Sequence, residues 1–365
     1  MRVFVAATDG DRLVVERRAR PCAHGASIAS LPERSGEPAA AIVERVGDVE
    51  VGPWSLVREA ARPDDPRLES AVSLLREFEA GTLEAAPELM LALREGEPRA
   101  DWEVAPGVRM APFRTPTLLP ATHTNSYLLT DGGRPSVLVE PAPTDRAEID
   151  RLARWAAGVD RLFVTHHHPD HVGALAELAE RLDAPVIAHP STASRLRGAR
   201  FVHLEDGETL AVGAREWRAM HTPGHAPGHL CLIDEAAGTG IVGDMVAGVG
   251  TILVEPGEGD MGLYLASLER LAALDLRKVL PAHGGLLVGG DIFARYVQHR
   301  RMREEKVFAA LQQAPGPVGA LVPIAYDDAP KAIWPLARLS VEAHLLHLEA
   351  QGRAERTATG WVASD

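Results

Sequence analysis

One short loop of the sequence carries four side chains that could bind metal. It reads THHHPDH over residues 165–171 and follows an apolar segment at residues 162–164 that predicts a buried strand. His166 and His168 are two residues apart on a turn, so both rings can be aimed at one point, while Asp170 and His171 can serve a second point nearby. Imidazole and carboxylate ligands suit Zn²⁺ or another borderline metal without any thiolate.

Further ligands must come from elsewhere, because one metal needs three or four of them. Three candidates follow along the chain: His225 in Thr-Pro-Gly-His, Asp244 in Gly-Asp-Met and His283 in Pro-Ala-His-Gly. Each comes just after a predicted strand, at the sheet edge where an α/β fold places its ligands. The sequence therefore predicts that these three side chains join the loop at residues 165–171.

The elements that must position these residues alternate between strands and helices from Trp102 onward, which predicts a layered α/β domain over 101–290. A charged helix at 292–311 leaves this domain, and the order of helices and hairpin after it, in 291–365, predicts a linking helix and a winged-helix module. Residues 1–100 predict a small α+β accessory domain of unknown role. In that domain, Asp65-Pro66 opens a predicted helix that ends at Gly81, and a second helix is predicted over 87–94.

With the seven candidate ligands in this order, the sequence resembles the metallo-β-lactamase superfamily, whose motif is His-x-His-x-Asp-His followed by His, Asp and His. The resemblance implies a four-layer αββα fold and two metals per chain, Zn²⁺ or alternatively Fe or Mn. It implies the following ligands: His166, His168 and His225 for one metal, Asp170, His171 and His283 for the other, and Asp244 bridging the two. No Cys stands at a matching position, so the dinuclear hydrolase branch is the one resembled.

The segment TNSYLL at 124–129 and residues 296–300 with the tail after them are similar to the β-lactamase-like protein 2 family. That family includes an endoribonuclease that acts on single-stranded RNA, and close relatives are thioesterases of polyketide assembly. The similarity covers about residue 102 to the end. Where the family has Asp-x-Gly after its third strand, this chain has Glu140-Pro141-Ala142, and Glu140 could supply the carboxylate that supports a ligand histidine.

The resemblance implies a hydrolase in which two metals lower the pKa of a bridging water, so that a hydroxide attacks a carbonyl carbon or a phosphorus. Asp170 is the predicted catalytic residue, which orients the nucleophile or accepts its proton. We predict a small ester, thioester or lactone as substrate, with single-stranded RNA as the alternative. A non-catalytic winged-helix binding protein is the alternative of another class, but it would be expected to have lost ligands. A flavo-diiron redox protein would need a flavodoxin domain, and the tail lacks that βα pattern.

Charge and composition bear on the partner. The net charge is −13, which argues against non-specific binding of nucleic acid by the whole surface. The main basic cluster lies around Arg300 and Arg301, which are the predicted substrate-binding residues if a phosphate is recognised; a solvated helix face is the other interpretation. Two cysteines and no apolar run of membrane-spanning length predict a cytoplasmic protein without a membrane partner, with a homodimer as an open option.

Overall fold

The computed structural model describes residues 2–9, 12–14, 44–51, 54–59, 68–70, 102–119 and 121–364. In the N-terminal part, five strands form one sheet in the order β3-β4-β1-β2-β5. They are β1 (Arg2–Asp9), β2 (Arg12–Val14), β3 (Glu44–Val51), β4 (Trp54–Glu59) and β5 (Leu68–Ser70).

The helix predicted from Asp65 is wrong at its start, because Leu68–Ser70 is a strand that pairs antiparallel with β2. The N-cap signal and the helical spacing of apolar residues favour a helix in this segment, but its hydrogen bonds to the neighbouring strand at the edge of the sheet outweigh them. The rest of that predicted helix and the helix predicted over 87–94 lie outside the described residues.

The main domain contains two sheets that pack face to face. The first has seven strands: β6 (Trp102–Ala105), β7 (Val108–Arg114), β8 (His123–Asp131), β9 (Arg134–Val139), β10 (Arg161–Phe163), β11 (Val186–Ala188) and β12 (Phe201–His203). Strands β6 to β9 form an antiparallel meander, and β9 to β12 run parallel. The second has six strands: β13 (Thr209–Val212), β14 (Arg215–His221), β15 (Leu230–Asp234), β16 (Thr239–Gly243), β17 (Lys278–Pro281) and β18 (Leu287–Val288).

Helices cover the outer faces of both sheets. On the first lie α1 (Arg146–Trp155), α2 (Pro169–Val172), α3 (Leu175–Arg181) and α4 (Pro190–Ala193). On the second lie α5 (Met261–Ala272) and the start of α6 (Asp291–Gln313). Three apolar clusters alternate with these layers, and the central one joins Tyr127 and Phe163 of the first sheet to Trp217 and Leu232 of the second. The predicted αββα fold is therefore confirmed.

The C-terminal part adds a small separate core. It comprises the end of α6, α7 (Val318–Ala325), a 3₁₀ turn (Lys331–Ile333), α8 (Trp334–Ala350) and the hairpin of β19 (Ala354–Thr357) and β20 (Gly360–Ala363). Leu311, Leu321, Leu345 and Trp361 pack together in it. This is the predicted winged-helix arrangement. Among the described residues, none of the helices has the length and apolar character needed to cross a membrane.

Candidate metal centre

The candidate ligands lie in segments that follow the carboxyl ends of four strands. The segment after β10 carries His166 and His168 in a loop and Asp170 and His171 in the short helix α2, and the loops after β14, β16 and β17 carry His225, Asp244 and His283. Backbone hydrogen bonds across the two sheets join these loops: the Leu230 amide donates to the Thr165 carbonyl at 2.9 Å, and the Asn125 amide donates to the Ala282 carbonyl at 2.8 Å. The two sheets thus present their ligand loops at one shared edge.

Three ring nitrogens converge in what we call the three-histidine group, His166, His168 and His225. Nε2 of His166 lies 3.0 Å from Nδ1 of His168, and Nε2 of His225 lies 3.2 Å and 3.0 Å from these two atoms. Tetrahedral ligands about 2.1 Å from a zinc ion are roughly 3.4 Å apart, so this spacing is close to that of three ligands on one ion.

Asp170, His171 and His283 form the second cluster, the carboxylate group, and their ligand atoms lie within 4.8 Å of one another. Asp244 stands between the two groups. Its Oδ1 is 3.6 Å from Nε2 of His171 and 3.5 Å from Nε2 of His283, whereas its Oδ2 is 3.6 Å from Nε2 of His225. The structure therefore brings all seven predicted ligands together and turns one oxygen of Asp244 toward each group.

The second nitrogen of each candidate ligand histidine faces an oxygen atom, and a hydrogen bond at that nitrogen fixes the tautomer that leaves the inward nitrogen free for a metal. These pairs are His166 Nδ1 with Thr165 Oγ1 at 2.9 Å, His168 Nε2 with Glu258 Oε2 at 3.5 Å, His171 Nδ1 with Glu140 Oε2 at 3.3 Å, His225 Nδ1 with the Leu253 carbonyl at 2.7 Å, and His283 Nδ1 with the His123 carbonyl at 3.0 Å. Hydrogen bonds therefore hold the rings of His166, His225 and His283, whereas the rings of His168 and His171 lie at ion-pair distance from a carboxylate.

Unpartnered polar atoms at the centre test whether metals fit. Nε2 of His171 and Oδ1 of Asp244 are buried and make no hydrogen bond within the described part of the chain. Leaving such atoms without a partner costs about 1–3 kcal/mol each. A cation coordinated by both would remove that cost, so the residues present fit a metal centre.

The two groups differ in how burial and charge act on their histidines. In the three-histidine group burial dominates, lowering the pKa of His166 well below its ordinary value and that of His225 to about 4. Burial also opposes the charged form of His171 and His283 and is the largest single effect on each, but the neighbouring carboxylates of Asp244 and Asp170 together outweigh it and raise the pKa of both, to about 10 for His283. One group therefore offers neutral lone pairs, and the other attracts a cation by its negative charge.

Sequence reasoning missed three residues that hold this arrangement. His229 accepts a hydrogen bond from the Asp244 amide at Nε2 (3.1 Å) and pairs through Nδ1 with Thr222 Oγ1 (2.8 Å). Asn125 donates through Nδ2 to the carbonyls of Pro281 and Gly284, on both sides of the His283 loop. Oε2 of Glu258 lies 3.5 Å from Nε2 of His168. The available signal was Asn125 itself, in the TNSYLL strand.

Close packing beneath Asp244 explains why a glycine precedes it. Gly243 has φ +48°, and a Cβ there would lie 2.6 Å from Nε2 of His229 and 2.7 Å from Oγ1 of Thr165. A side chain at this position would push apart the ring that holds the Asp244 amide and the strand end that carries His166. Glu140 also has a positive φ, 58°, and is fully buried, and its Oε1 accepts a hydrogen bond from the Thr165 amide at 3.3 Å.

The predicted substrate-binding arginines are engaged elsewhere. Arg300 is buried, donates through Nη2 to the carbonyl of Ile252, and lies over the ring of Tyr264. Arg301 is exposed and pairs with Glu269 at 2.5 Å. Substrate binding by these two side chains stays a prediction, and their observed partners belong to the protein itself.

Comparison with known protein families agrees with this geometry. The sequence profile of the metallo-beta-lactamase superfamily matches residues 119–283, and that of the beta-lactamase associated winged helix domain matches residues 318–361. Among solved structures, a beta-lactamase domain protein from Burkholderia ambifaria superposes with a TM-score of 0.65 at 25% identity, covering 79% of this chain and 98% of that one.

Several characterised sequences are similar to this chain over most of the same region. The beta-lactamase-like protein 2 homolog of Drosophila melanogaster is 28% identical over 263 residues, which are 65% of this chain and 86% of the relative. The lactamase-like protein vrtG of Penicillium aethiopicum is 30% identical over 251 residues, 63% of this chain and 77% of the relative. The atrochrysone carboxyl ACP thioesterase AgnL7 of Paecilomyces divaricatus is 31% identical over 211 residues, 56% of this chain and 64% of the relative. Ligand loops, sheet order and these matches agree: the chain belongs to the metallo-β-lactamase superfamily and is a hydrolase.

Proposed function

We propose that the chain is a dinuclear metal-dependent hydrolase that cleaves a small ester, thioester or lactone with an apolar acyl part. The observation that carries the proposal is the convergence of seven ligand side chains into two groups, with Asp244 facing both. Two Zn²⁺ ions are the proposed cofactors, and Fe or Mn would suit the same nitrogen and oxygen ligands.

Metal ions in such a site supply a hydroxide nucleophile near neutral pH, because coordination lowers the pKa of water. The chain's own residues orient that nucleophile. Burial favours protonation of Asp170, but the neighbouring His171 and His283 outweigh it and lower the pKa of Asp170 well below its ordinary value. An ionised carboxylate at this position would bind a metal and accept a hydrogen bond from the nucleophile, which is the orienting role that we propose for Asp170.

An apolar lip beside the metal ligands supports an apolar substrate. Oγ1 of Thr117 lies 3.4 Å from Nε2 of His283, and the next two residues, Leu118 and Leu119, are 54% and 76% exposed. Two adjacent exposed leucines next to a buried polar centre suit the acyl chain of a substrate whose carbonyl points at the metals. The match to a thioesterase supports the thioester as one such substrate.

The basic segment of α6 gives little support to RNA as the substrate. Besides Arg300 and Arg301, Arg303 pairs with Asp328 at 2.7 Å and Lys306 pairs with Asp327 at 2.9 Å. Phosphate groups would have to compete with these carboxylates and with the chain's net charge of −13. The solvated and paired helix face therefore explains these residues better than a phosphate-binding role.

A substrate panel tests the proposal on metal-loaded protein, with acyl thioesters of increasing chain length, aryl esters, lactones and labelled single-stranded RNA. We expect thioester or ester turnover that a chelator abolishes and that rises with acyl length. RNA cleavage at low salt without ester turnover would overturn the assignment. In that case Arg301→Glu would show whether this helix binds phosphates, since each lost contact flattens the slope of log affinity against log salt by about 0.7.

Leucine substitutions test the apolar lip. Leu118→Ser and Leu119→Ser should each lower kcat/KM for a long acyl chain by roughly tenfold, about 1.4 kcal/mol, and leave an acetyl substrate almost unchanged. Leu336→Ser on α8 removes another exposed leucine and serves as the matched control. Equal losses for long and short acyl chains would mean that the lip does not bind the acyl part.

A further inference from the structure

His168 differs from the other ligand histidines in how its ring is held. Its Nδ1 faces the three-histidine group, so its outward atom is Nε2, and that atom faces the carboxylate of Glu258 at 3.5 Å. Glu258 belongs to the loop between β16 and α5, which also carries Leu253, whose carbonyl faces His225. Its side chain is 30% exposed, whereas Thr165 and Glu140, which face two of the other rings, are fully buried.

The loop that carries Glu258 is a tight turn fixed to another ligand loop. The Gly259 amide donates to the Glu255 carbonyl at 2.7 Å, and the Asp260 amide donates to the Gly224 carbonyl at 2.8 Å. Gly224 directly precedes the ligand His225 and packs so closely on α5 that a Cβ would lie 2.2 Å from the Tyr264 amide nitrogen. The position of Glu258 is therefore defined relative to the three-histidine group.

His167 holds the same carboxylate from the other side. Its Nε2 lies 2.6 Å from Oε1 of Glu258, so one carboxylate contacts two consecutive histidines through its two oxygens. His167 does not point at the metal cluster, and this contact gives it a role next to the ligands. With one oxygen engaged by His167, the other is left directed at His168.

We propose that Glu258 is a positioning residue, whose carboxylate accepts the Nε2–H of His168 and thereby aims Nδ1 of that ring at the metal of the three-histidine group, with His167 fixing the carboxylate. Carboxylates that orient a ligand imidazole in this way also raise its basicity, and their removal weakens metal binding or activity by about 10–100-fold. The inference rests on the proposed function, since it requires a metal at the three-histidine group.

The test measures metal affinity of the full chain by competition with a chromophoric chelator, and the absorption spectrum of the Co²⁺-substituted protein. In Glu258→Ala, one of the two metal equivalents should bind about 10–100-fold more weakly, with a changed Co²⁺ spectrum, while the other is unaffected. Glu258→Gln should lose less, because its amide oxygen still accepts a hydrogen bond. Glu255→Gln removes an exposed carboxylate from the same turn and should behave as the unmodified protein.

His167→Ala should lower the affinity of the same metal equivalent by less than about tenfold, since Glu258 keeps its own acceptor atoms. Parental affinity and spectrum in Glu258→Ala would overturn the proposal. So would equal weakening of both equivalents with a lower Tm of the metal-free protein, which would indicate a structural role. Loss of a third equivalent in Glu258→Gln would also overturn it, since that would mean that Glu258, His167 and His168 bind a cation directly.

The proposed function and the proposed role of Glu258 can be disproved separately. If the unmodified protein binds no metal and hydrolyses none of the panel, the proposed function fails. If it binds two metals and turns over substrate while both Glu258 variants behave like it, only the role of Glu258 fails.

Discussion

Two buried sets of histidines and carboxylates in this molecule are arranged differently. In the candidate metal cluster, ring nitrogens of three histidines converge within 3.0–3.2 Å. In the helical junction between α6 and α8, Glu304 Oε2 pairs with Nδ1 of His347 at 2.6 Å and faces Nδ1 of His344 at 3.5 Å. Both sets consist of histidines and carboxylates. What distinguishes the candidate metal site from the internal ion pair is therefore that several ring nitrogens converge on one point, not which residue types are present.

The charges of the junction are balanced within the protein. Burial raises the pKa of Glu304, but its hydrogen bonds with His344 and His347 outweigh this and lower the pKa to about 2. The same hydrogen bond raises the pKa of His347. The junction therefore stabilises the packing of α8 on α6 as an internal ion pair.

Among the variants that distinguish the two sets, Asp244→Ala is expected to have the largest effect on metal content and activity. Because one oxygen of Asp244 faces each group, its loss should remove both metals and lower kcat/KM by at least about 100-fold, or roughly 3 kcal/mol. Asp170→Ala, which removes a ligand from the carboxylate group alone, should cost less metal. Metal analysis of both variants checks this order, and a greater metal loss in Asp170→Ala would contradict a bridging role.

His168→Ala should remove one metal equivalent and most of the activity, since it deletes one of three ligands from the three-histidine group. His344→Ala in the junction is the matched control and should keep the full metal content. Elemental analysis after gel filtration distinguishes the two. An unchanged metal content in the His168 variant, or a lower one in the His344 variant, would contradict the assignment of metal binding to the three-histidine group rather than to the junction.

Glu304→Gln should destabilise the protein by about 1–3 kcal/mol near pH 6 without changing its metal content. The lowered pKa of Glu304 gives a contribution that is present above the unfolded value of about 4.3 and is lost as pH falls toward about 2. The raised pKa of His347 gives a contribution that is present below about 6.5 and is lost as pH rises through the folded value. Urea unfolding of both proteins across pH should show a difference that shrinks below about pH 4; a constant difference would argue against the ion pair.

The smallest effect is expected from removing residues 1–100. The candidate ligands lie beyond them, so the chain from Asp101 onward should bind the same number of metals as the full chain. Loss of metal in the truncated chain would show that the predicted domain boundary at residues 100 and 101 is wrong.

The convergence of the seven candidate ligands could be predicted from the sequence because each lies shortly after a strand, in a short glycine-rich or histidine-rich segment. Glu258 could not, since it follows His168 by 90 residues in a turn with no ligand spacing. His229 was hidden for another reason: its partner is the backbone amide of Asp244, which leaves no pattern of residue types. At Arg300 the sequence shows a positive charge that could bind substrate. It does not show that this side chain donates a hydrogen bond to the carbonyl of Ile252. At Leu68–Ser70, a local helix signal gave way to pairing with a distant strand.

Metal stoichiometry of the purified chain tests the central claim most directly. Elemental analysis after reconstitution with Zn²⁺ and removal of free metal should give about two equivalents per chain, because two groups of ligands share Asp244. A value near two in the unmodified protein that falls toward zero in Asp244→Ala is the predicted result. A value near zero in the unmodified protein, or one that is unchanged in Asp244→Ala, would contradict the account.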